Sequence, residues 1–200
     1  LNLSSFDDVE HIESFYLKNK VSPKYHLKFD TGMTRLGFDL NDAEAIYESL
    51  SKPLHPYIEG VYTHFATADE GDLSYAKKQL SDFKMVVRKV ESFGLKFKFI
   101  HCSNSGAVLN LEKSYFNMVR VGMLLYGALP SNEVIDNIGI KPVMSFCGSI
   151  VNVRKVKKNT PVSYGGVYKT ASDTNIAVIQ TGFADGFPRP WFDGGYVIYN

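Results

Sequence analysis

Apolar and polar positions alternate between two patterns along the first 120 residues. Short, partly alternating stretches rich in β-branched and aromatic residues predict strands at residues 24–30, 57–64, 97–102 and 116–121. Apolar residues at helical spacing predict helices at residues 5–20, 41–51, 73–93 and 105–111. Ser5 and Asn41 are suited to cap the first two helices. The order of strand, loop and helix predicts βα units built around a parallel sheet.

The pattern changes near residue 139. From there to residue 200 no helical stretch is visible, and β-branched residues surround turn signals such as "KKNTP". We therefore expect an α/β domain in residues 1–138 and the start of an all-β domain in residues 139–200. The loop "ALPSNEVIDNIG" would connect the two.

Composition and charge exclude several classes of function. The chain is 44% hydrophobic and 22% charged, with a net charge of +1, as expected of a folded soluble protein. This balance offers no basic surface for nucleic acid or membranes, and with no membrane span or signal peptide visible we expect a cytoplasmic protein. Cys102 and Cys147 have no metal-ligand spacing and lie in apolar sequence, so no metal site is predicted and both are expected to be buried thiols.

Unusual polar residues follow the predicted strands at their carboxyl ends. They are Arg35, His64, Asn104, Ser105 and Arg120, the last followed by Gly122. In barrels and open parallel sheets, ligands bind at this edge. Residues that follow successive strands in this way predict a binding site.

Each of these residues also has a structural interpretation. Lys28, inside the first of these strands, could extend its ammonium to the rim of the sheet. His64 could be a core histidine, and Asn104 with Ser105 could cap the following helix, an arrangement that is also compatible with phosphate binding. Arg120 lies between apolar residues and needs a partner, either a structural carboxylate or a ligand.

In the all-β part, the stretch "VSYGG" places Tyr164 before two glycines. Turn formation explains the glycines, and the tyrosine ring would project from a tight turn. Surface tyrosines are common, so this pattern alone leaves a structural and a catalytic role open.

These residues lie in motifs that resemble those of the alanine racemases. The motifs are "HLKFDTGMTRLGF", "GVYTHFATADE", "HCSNSGAVL", "MVRVGMLLYGALPS", "VSYGGVY" and "GFADGFPR", which occur in the family's order and span nearly all of residues 24–190. The resemblance implies part of a (β/α)8 barrel followed by part of a β domain. It also implies pyridoxal 5'-phosphate as cofactor and interconversion of L- and D-alanine, which supplies D-alanine for peptidoglycan.

The family's cofactor-binding roles can be transferred by motif position. Arg120 corresponds to the arginine that binds the cofactor's pyridine nitrogen, and His64 to the histidine that packs against the cofactor ring and bonds that arginine. Ser105 with the amides of Gly122 and Met123 corresponds to the phosphate cradle, next to Asn104.

The remaining roles concern the substrate and the proton transfers. Arg35 corresponds to an arginine near the cofactor's phenolic oxygen and the substrate carboxylate, and Lys28 to a lysine that is carbamylated in many members. Tyr164 corresponds to one of two catalytic bases, contributed to the active site of the partner subunit in a homodimer. The other base, a lysine that attaches the cofactor, belongs to a motif before residue 1, so we expect the sequence to be a piece of a longer protein that is inactive alone.

The sequence departs from the family at Phe183, where "GFADG" replaces the usual "GYADG". The usual tyrosine lines the active-site entrance, so a serine or broad-specificity racemase of the same fold is an alternative. A pyridoxal-phosphate-binding protein without catalysis is an alternative of another class.

Overall fold

The computed structural model describes residues 1–50, 52–134, 138–192 and 194–199. Contacts along the chain divide it into two compact units after Val143, a few residues beyond the predicted domain boundary. Residues 135–137, in the predicted connecting loop, lie outside the described residues.

The first unit contains a parallel four-stranded sheet. Its strands are β1 (Asn2–Leu3), β2 (Tyr25–Lys28), β3 (Ile58–Tyr62) and β4 (Phe99–His101), paired in chain order. Leu27 pairs with Val61 and Val61 with Ile100, so the carboxyl ends of these strands meet at one edge. Strand β1 was not predicted, because two residues are too few to show an alternating pattern.

Four helices connect and follow these strands in the described part of the unit: α1 (Phe6–Asn19), α2 (Ala43–Ser49), α3 (Ser74–Ser92) and α4 (Ser105–Asn110). Ser5 caps α1 as predicted, in a capping box with Asp8. The predicted cap at Asn41 is wrong, because Asp39 caps a 3-10 turn that leads into α2. Apolar residues at helical spacing predicted the helix α3, and they form its buried face: Ala76, Leu80, Phe83, Val87 and Val90.

The strand predicted at residues 116–121 is wrong. Phe116 has a left-handed backbone with φ of 45°, which breaks an extended ladder. The Asn117 side chain instead occupies the outer edge of β4, where it accepts from the amide of Ile100 and donates to the carbonyl of Lys98, both at 2.8 Å. Arg120 then makes a backbone hydrogen bond to Ser103 at 2.9 Å, so the segment still passes the end of β4.

The second unit has only strands and 3-10 turns among its described residues. Strand β5 (Ile150–Val156) pairs antiparallel with β8 (Thr174–Ile179), and β6 (Pro161–Val162) pairs antiparallel with β7 (Tyr168–Lys169). Cys147 is exposed, so its predicted burial is wrong, whereas Cys102 in the first unit is buried. The apolar surroundings of Cys147 in sequence therefore do not correspond to a packed core around it. Among the described residues of both units, no helix has the length and apolar character that crossing a membrane requires.

Candidate active site

The carboxyl edge of the parallel sheet brings His64, Ser105 and Arg120 together. His64 lies just after β3, and Ser105 begins α4 just after β4. Arg120 reaches the same edge because its amide donates to the carbonyl of Ser103. The predicted gathering of polar residues at strand ends is therefore present for these residues.

Arg120 is held by uncharged acceptors. One terminal nitrogen of its guanidinium makes a short hydrogen bond to Nδ1 of His101. The other donates to the carbonyl of Thr63 at 2.8 Å and to Nδ1 of His64 at 3.1 Å. No carboxylate pairs with Arg120 among the described residues. Of the two partners that the sequence left open for Arg120, the structural carboxylate is absent from the described part of the chain.

The hydrogen bonds of Arg120 fix the proton positions on its histidine neighbours. Arginine only donates, so Nδ1 of His101 and Nδ1 of His64 must both accept. His101 then carries its proton on Nε2, which lies 2.7 Å from Nδ1 of His26 and donates to it. Arg120, His101 and His26 thus form a directional chain in which the imidazoles are neutral.

The electrostatics favour the neutral imidazoles. Burial, followed by the charge of Arg120, lowers the pKa of His64 to about 4. Burial, followed by Arg120 and His26, lowers the pKa of His101 to about 3. Burial also lowers the pKa of His26. At neutral pH the positive charge at the centre of the site therefore belongs to Arg120 and not to the histidines around it.

Arg35 lies on a turn that Asp30 organises. The Asp30 carboxylate accepts hydrogen bonds from the amides of Gly32, Thr34 and Arg35 at 2.8, 3.1 and 3.0 Å. Burial raises the pKa of Asp30, but these amides outweigh it and leave the pKa lowered. Gly37 closes the turn with φ of 131°, and a Cβ there would lie 2.6 Å from the Asp30 amide nitrogen. The Arg35 side chain itself is exposed.

Lys28 lies at the end of β2 and is only 5% exposed. Its ammonium lies 5.8 Å from the centroid of the Tyr62 ring and has no carboxylate partner among the described residues. Burial, followed by the charge of Arg35, lowers the pKa of Lys28; Asp30 opposes this effect and Arg120 adds to it. The side chain is therefore a buried amine, not one that extends to solvent at the rim of the sheet.

The Tyr62 ring lies near both Lys28 and Arg120. Its ring stacks on the His101 imidazole with centroids 4.8 Å apart, and the Arg120 guanidinium carbon lies 4.9 Å from its centroid. The Tyr62 hydroxyl donates to the Asn2 side chain at 2.8 Å. An aromatic face next to two cations is a favourable arrangement, because the ring's quadrupole attracts positive charge.

Ser105 and Gly122 meet beside Arg120. The Gly122 amide donates to the Ser105 hydroxyl oxygen at 3.1 Å, which leaves the hydroxyl hydrogen available for a further acceptor. Met123 begins a 3-10 turn, where an amide has no acceptor within the turn. Asn104 caps α4 by accepting from the Ala107 amide at 3.0 Å, in agreement with the capping interpretation.

Tyr164 is in the second unit, on the 3-10 turn Tyr164–Gly166 between β6 and β7. Positive φ angles at Ser163, Gly165 and Gly166 turn the backbone there, and the tyrosine side chain is 99% exposed. Phe183 begins another 3-10 turn of this unit and is 70% exposed.

Several residues next to the candidate site were not predicted from the sequence. His101 ends β4 just as His64 follows β3, so the rule of polar strand ends would have found it. His26 and Lys28 are two positions apart on one strand face, a spacing that signals a shared environment. Gln79 is completely buried on the inner face of α3, and its helical spacing from Ala76 and Phe83 was the available signal.

No cluster of side chains suited to a metal ion occurs in the described part of the chain.

Two family models match the chain. The model of the alanine racemase N-terminal domain matches residues 1–130, and that of the C-terminal domain matches residues 143–200. An alanine racemase from Carboxydothermus hydrogenoformans is 40% identical over 177 residues, which cover 88% of this chain and 48% of the relative. An alanine racemase from Methanococcus maripaludis is 35% identical over an alignment that covers 100% of this chain and 54% of the relative. The chain thus spans about half the length of the curated relatives it matches.

Solved structures agree with the family models. The alanine racemase of Clostridium difficile 630 superposes with a TM-score of 0.82 at 33% identity, over 94% of this chain and 50% of that chain. The enzyme of Streptomyces coelicolor gives a TM-score of 0.85 at 30% identity, over 94% and 51% of the two chains. The predicted fold class, part of an α/β barrel followed by part of a β domain, is confirmed. The chain belongs to the alanine racemase family.

Proposed function

We propose that the whole protein is a pyridoxal-phosphate-dependent alanine racemase that interconverts L- and D-alanine in the cytoplasm and supplies D-alanine for peptidoglycan. The observation that carries the proposal is the environment of Arg120. Its guanidinium is held at the carboxyl edge of a parallel sheet by a carbonyl and two neutral imidazoles. A half-buried arginine with no carboxylate partner in the described structure suits an uncharged nitrogen acceptor of a bound ring.

The residues beside Arg120 fit the rest of the cofactor. Ser105 has a hydroxyl hydrogen to donate, and with the amides of Gly122 and Met123 it would hold the phosphate. The Gly122 amide would then exchange its present hydrogen bond to Ser105 for one to the phosphate. Asn104 would flank this cradle, and its amide nitrogen lies 3.4 Å from the carbonyl of Phe65, next to His64. The imidazole of His64 would pack against the cofactor ring, and the hydrogen bond with Arg120 would fix the orientation of the imidazole.

Bound pyridoxal phosphate supplies an electron-withdrawing ring that acidifies the Cα–H bond of an amino acid. Arg120 moderates this effect, because a guanidinium does not give up its proton at neutral pH and so leaves the pyridine nitrogen unprotonated. Arg120 would thereby favour return of the proton to Cα over transamination.

Racemisation needs a proton-transferring group on each face of the substrate. Tyr164 would hold or give a proton at its hydroxyl on one face, and a lysine outside the printed sequence would serve the other. A phenol is a weak base, so nearby positive charge must activate it, and Arg120 acting through His64 supplies that charge. The exposure of the Tyr164 side chain in this chain supports its delivery to the partner subunit of a homodimer.

Arg35 and Lys28 would serve the substrate side. The exposed Arg35 guanidinium would bind the substrate carboxylate near the phenolic oxygen of the cofactor. Carbamylation would convert Lys28 into an anion that attracts Arg35. The lowered pKa of Lys28 supports this, since the neutral amine is the form that reacts with carbon dioxide.

The test is racemisation by the whole protein with pyridoxal phosphate. We expect it to convert L- to D-alanine and back, faster than it converts serine. Tyr164→Phe should lower kcat by about 10²–10⁴-fold, a typical contribution of a general acid or base. The effects on kcat and on KM should differ between the two directions, whereas kcat/KM must fall equally in both because the equilibrium constant of racemisation is one. Tyr168→Phe is the matched control, because Tyr168 is an exposed tyrosine on the neighbouring strand β7 and should leave the rate unchanged.

Other outcomes would select the alternatives. Faster turnover of serine would favour the serine or broad-specificity racemase that the change at Phe183 suggested. Binding of the cofactor without racemisation of either amino acid would favour the non-catalytic protein. Equal rates for wild type and Tyr164→Phe in both directions would remove Tyr164 from the mechanism.

A further inference from the structure

Gln79 is a buried amide at the point where α3 passes the carboxyl edge of the sheet. Its side chain is fully buried, and both its amide oxygen and its amide nitrogen form hydrogen bonds. The oxygen accepts from the amide of Ala66 at 2.9 Å, and the nitrogen donates to the carbonyl of His64 at 3.2 Å. The same nitrogen lies 3.4 Å from the hydroxyl of Thr31. Gln79 thus contacts the turn that carries His64 and the turn that carries Arg35.

A second set of contacts supports the same junction. The buried hydroxyls of Thr31 and Thr63 are 2.8 Å apart and join the ends of β2 and β3. One helical turn before Gln79, the Tyr75 hydroxyl donates to the carbonyl of Gly32 at 3.0 Å. Tyr75 and Gln79 are four residues apart, so they lie on one face of α3. This face therefore contacts both turns through polar groups.

We propose that Gln79 is a positioning residue that fixes the His64 turn relative to the Arg35 turn. The proposal rests on the proposed function, in which His64 serves the cofactor and Arg35 the substrate carboxylate. Arg120 holds the ring of His64, whereas Gln79 holds its main chain. Gln79 thereby sets the distance between the group that orients the cofactor and the group that binds the substrate.

The chemistry of the position explains why an amide occupies an otherwise apolar helix face. The carbonyl of His64 and the amide of Ala66 need partners when shielded from water, because unpaired buried polar groups are costly. A glutamine satisfies an acceptor and a donor with one side chain. Glutamate would keep the bond from Ala66 but lose the two donated contacts, and methionine would lose all of them.

The experiment compares four single variants and one double variant of the whole protein with pyridoxal phosphate bound. Gln79→Met removes all contacts of the amide, and Gln79→Glu removes the donated ones. Thr31→Val removes the contact of Gln79 with the Arg35 turn together with the Thr31–Thr63 hydrogen bond. Val87→Ala is the control, since Val87 is buried on α3 about two turns beyond Gln79 and destabilises the same helix without touching either turn. The measurements are kcat, KM for alanine, the free energy of unfolding, and amide hydrogen exchange of peptides covering residues 30–36 and 63–68.

We expect Gln79→Met and Gln79→Glu to lower kcat/KM about tenfold, the effect of losing one to two hydrogen bonds, and to speed exchange in both peptides. Thr31→Val should raise KM about threefold with kcat unchanged, and its effect should be smaller in the double variant with Gln79→Met, because both changes act on one junction. Val87→Ala should lower stability while kcat and KM stay at wild-type values.

Two results would overturn the proposal. In one, the Gln79 variants lose stability like Val87→Ala and keep wild-type kcat and KM, which leaves Gln79 a structural role alone. In the other, exchange rises only in the peptide of residues 63–68, which means that the two turns are independent. A wild-type protein that does not racemise alanine would instead refute the proposed function, and the exchange of the two peptides would still decide whether Gln79 joins them.

Discussion

Arg120 and Arg35 belong to the same edge of the sheet, but they are held in different ways. Arg120 is fixed through its side chain, whose terminal nitrogens donate to His101, Thr63 and His64. Arg35 is fixed only through its main chain, because Asp30 accepts from its amide at 3.0 Å while the guanidinium remains exposed. One charge is therefore positioned by hydrogen bonds of its side chain before anything binds, and the other only through its main chain.

This difference matches the two kinds of ligand that the proposed function requires. A resident cofactor benefits from a donor that needs no reorganisation, since ordering a long side chain costs conformational entropy. A substrate that enters and leaves in each cycle is better served by a cation that can follow its carboxylate. The comparison predicts that changes around Arg120 affect stability and turnover, whereas changes around Arg35 affect substrate binding.

The largest expected effect comes from Arg120→Lys. An ammonium keeps the charge but cannot donate to all these acceptors at once. We expect kcat to fall about 10²–10³-fold, as for the loss of a preorganised donor, and the free energy of unfolding to fall by about 1–3 kcal/mol because buried acceptors lose their partner. Steady-state kinetics and denaturant unfolding of the whole protein measure both quantities.

Two matched variants sharpen this result. Arg35→Lys should raise KM and leave the free energy of unfolding unchanged, and Arg88→Lys, at an exposed position of α3, should change neither. The comparison between the arginines fails if Arg35→Lys destabilises the protein as much as Arg120→Lys does.

The sequence predicted which residues share the edge but not how they are bonded. Alternation of strands and helices places strand ends on one side, so His64 and Ser105 could be grouped from the sequence. Arg120 was grouped with them through a strand that does not form, and it reaches the edge through the hydrogen bond of its amide to Ser103. The chain of His26, His101 and Arg120 could not be derived, because it depends on which imidazole nitrogen faces which neighbour. Periodicity reports burial and not hydrogen-bond partners.

The wrong strand at residues 116–121 has the same origin. Its apolar residues are typical of a buried strand, yet Asn117 uses its side-chain amide where a strand would use its backbone. Gln79 shows the converse case, in which a polar residue on an apolar helix face holds the turns of the site. In both places an amide side chain forms hydrogen bonds with backbone groups of another segment, and secondary-structure propensity does not predict such bonds.

A smaller effect is expected from Lys28. If its amine is carbamylated, the intact protein at neutral pH should be heavier by one carbon dioxide, and acid should remove this mass. Lys28→Met should raise KM for alanine up to about tenfold with little change in kcat, because the anion that orients Arg35 is lost. Added chloride should partly restore KM by taking the place of the carbamate.

Lys24→Met is the control for Lys28. Lys24 precedes the same strand at its opposite end, where its exposed ammonium pairs with Glu59 at 3.0 Å. KM and kcat should both remain unchanged in this variant. An unmodified Lys28 together with an unchanged KM in Lys28→Met would show that Arg35 needs no fixed anion.

The smallest effect concerns the pH dependence of stability, and it tests whether the imidazoles around Arg120 are neutral. The pKa of His64 is lowered from 6.5 to about 4 and that of His101 to about 3, mainly by burial and then by Arg120. Below pH 6.5 these two histidines bind protons in the unfolded chain but remain neutral in the folded chain. The free energy of unfolding must therefore fall as pH falls from 6.5 to about 4, and above 6.5 these histidines contribute no pH dependence.

Carboxylates also make the free energy of unfolding depend on pH at the acidic end. The contribution of the histidines is therefore obtained by comparing wild type and variants in the range from pH 5 to 6.5. His101→Gln should reduce the slope of unfolding free energy against pH by at most about 1.4 kcal/mol per pH unit, the value for one proton. His64→Gln should act in the same direction, and His11→Gln, at an exposed position of α1, should leave the slope unchanged. An unchanged slope in His101→Gln would mean that the imidazole is protonated in the folded protein. Arg120 could then not donate to Nδ1 of His101, and the contrast with Arg35 would lose its main support.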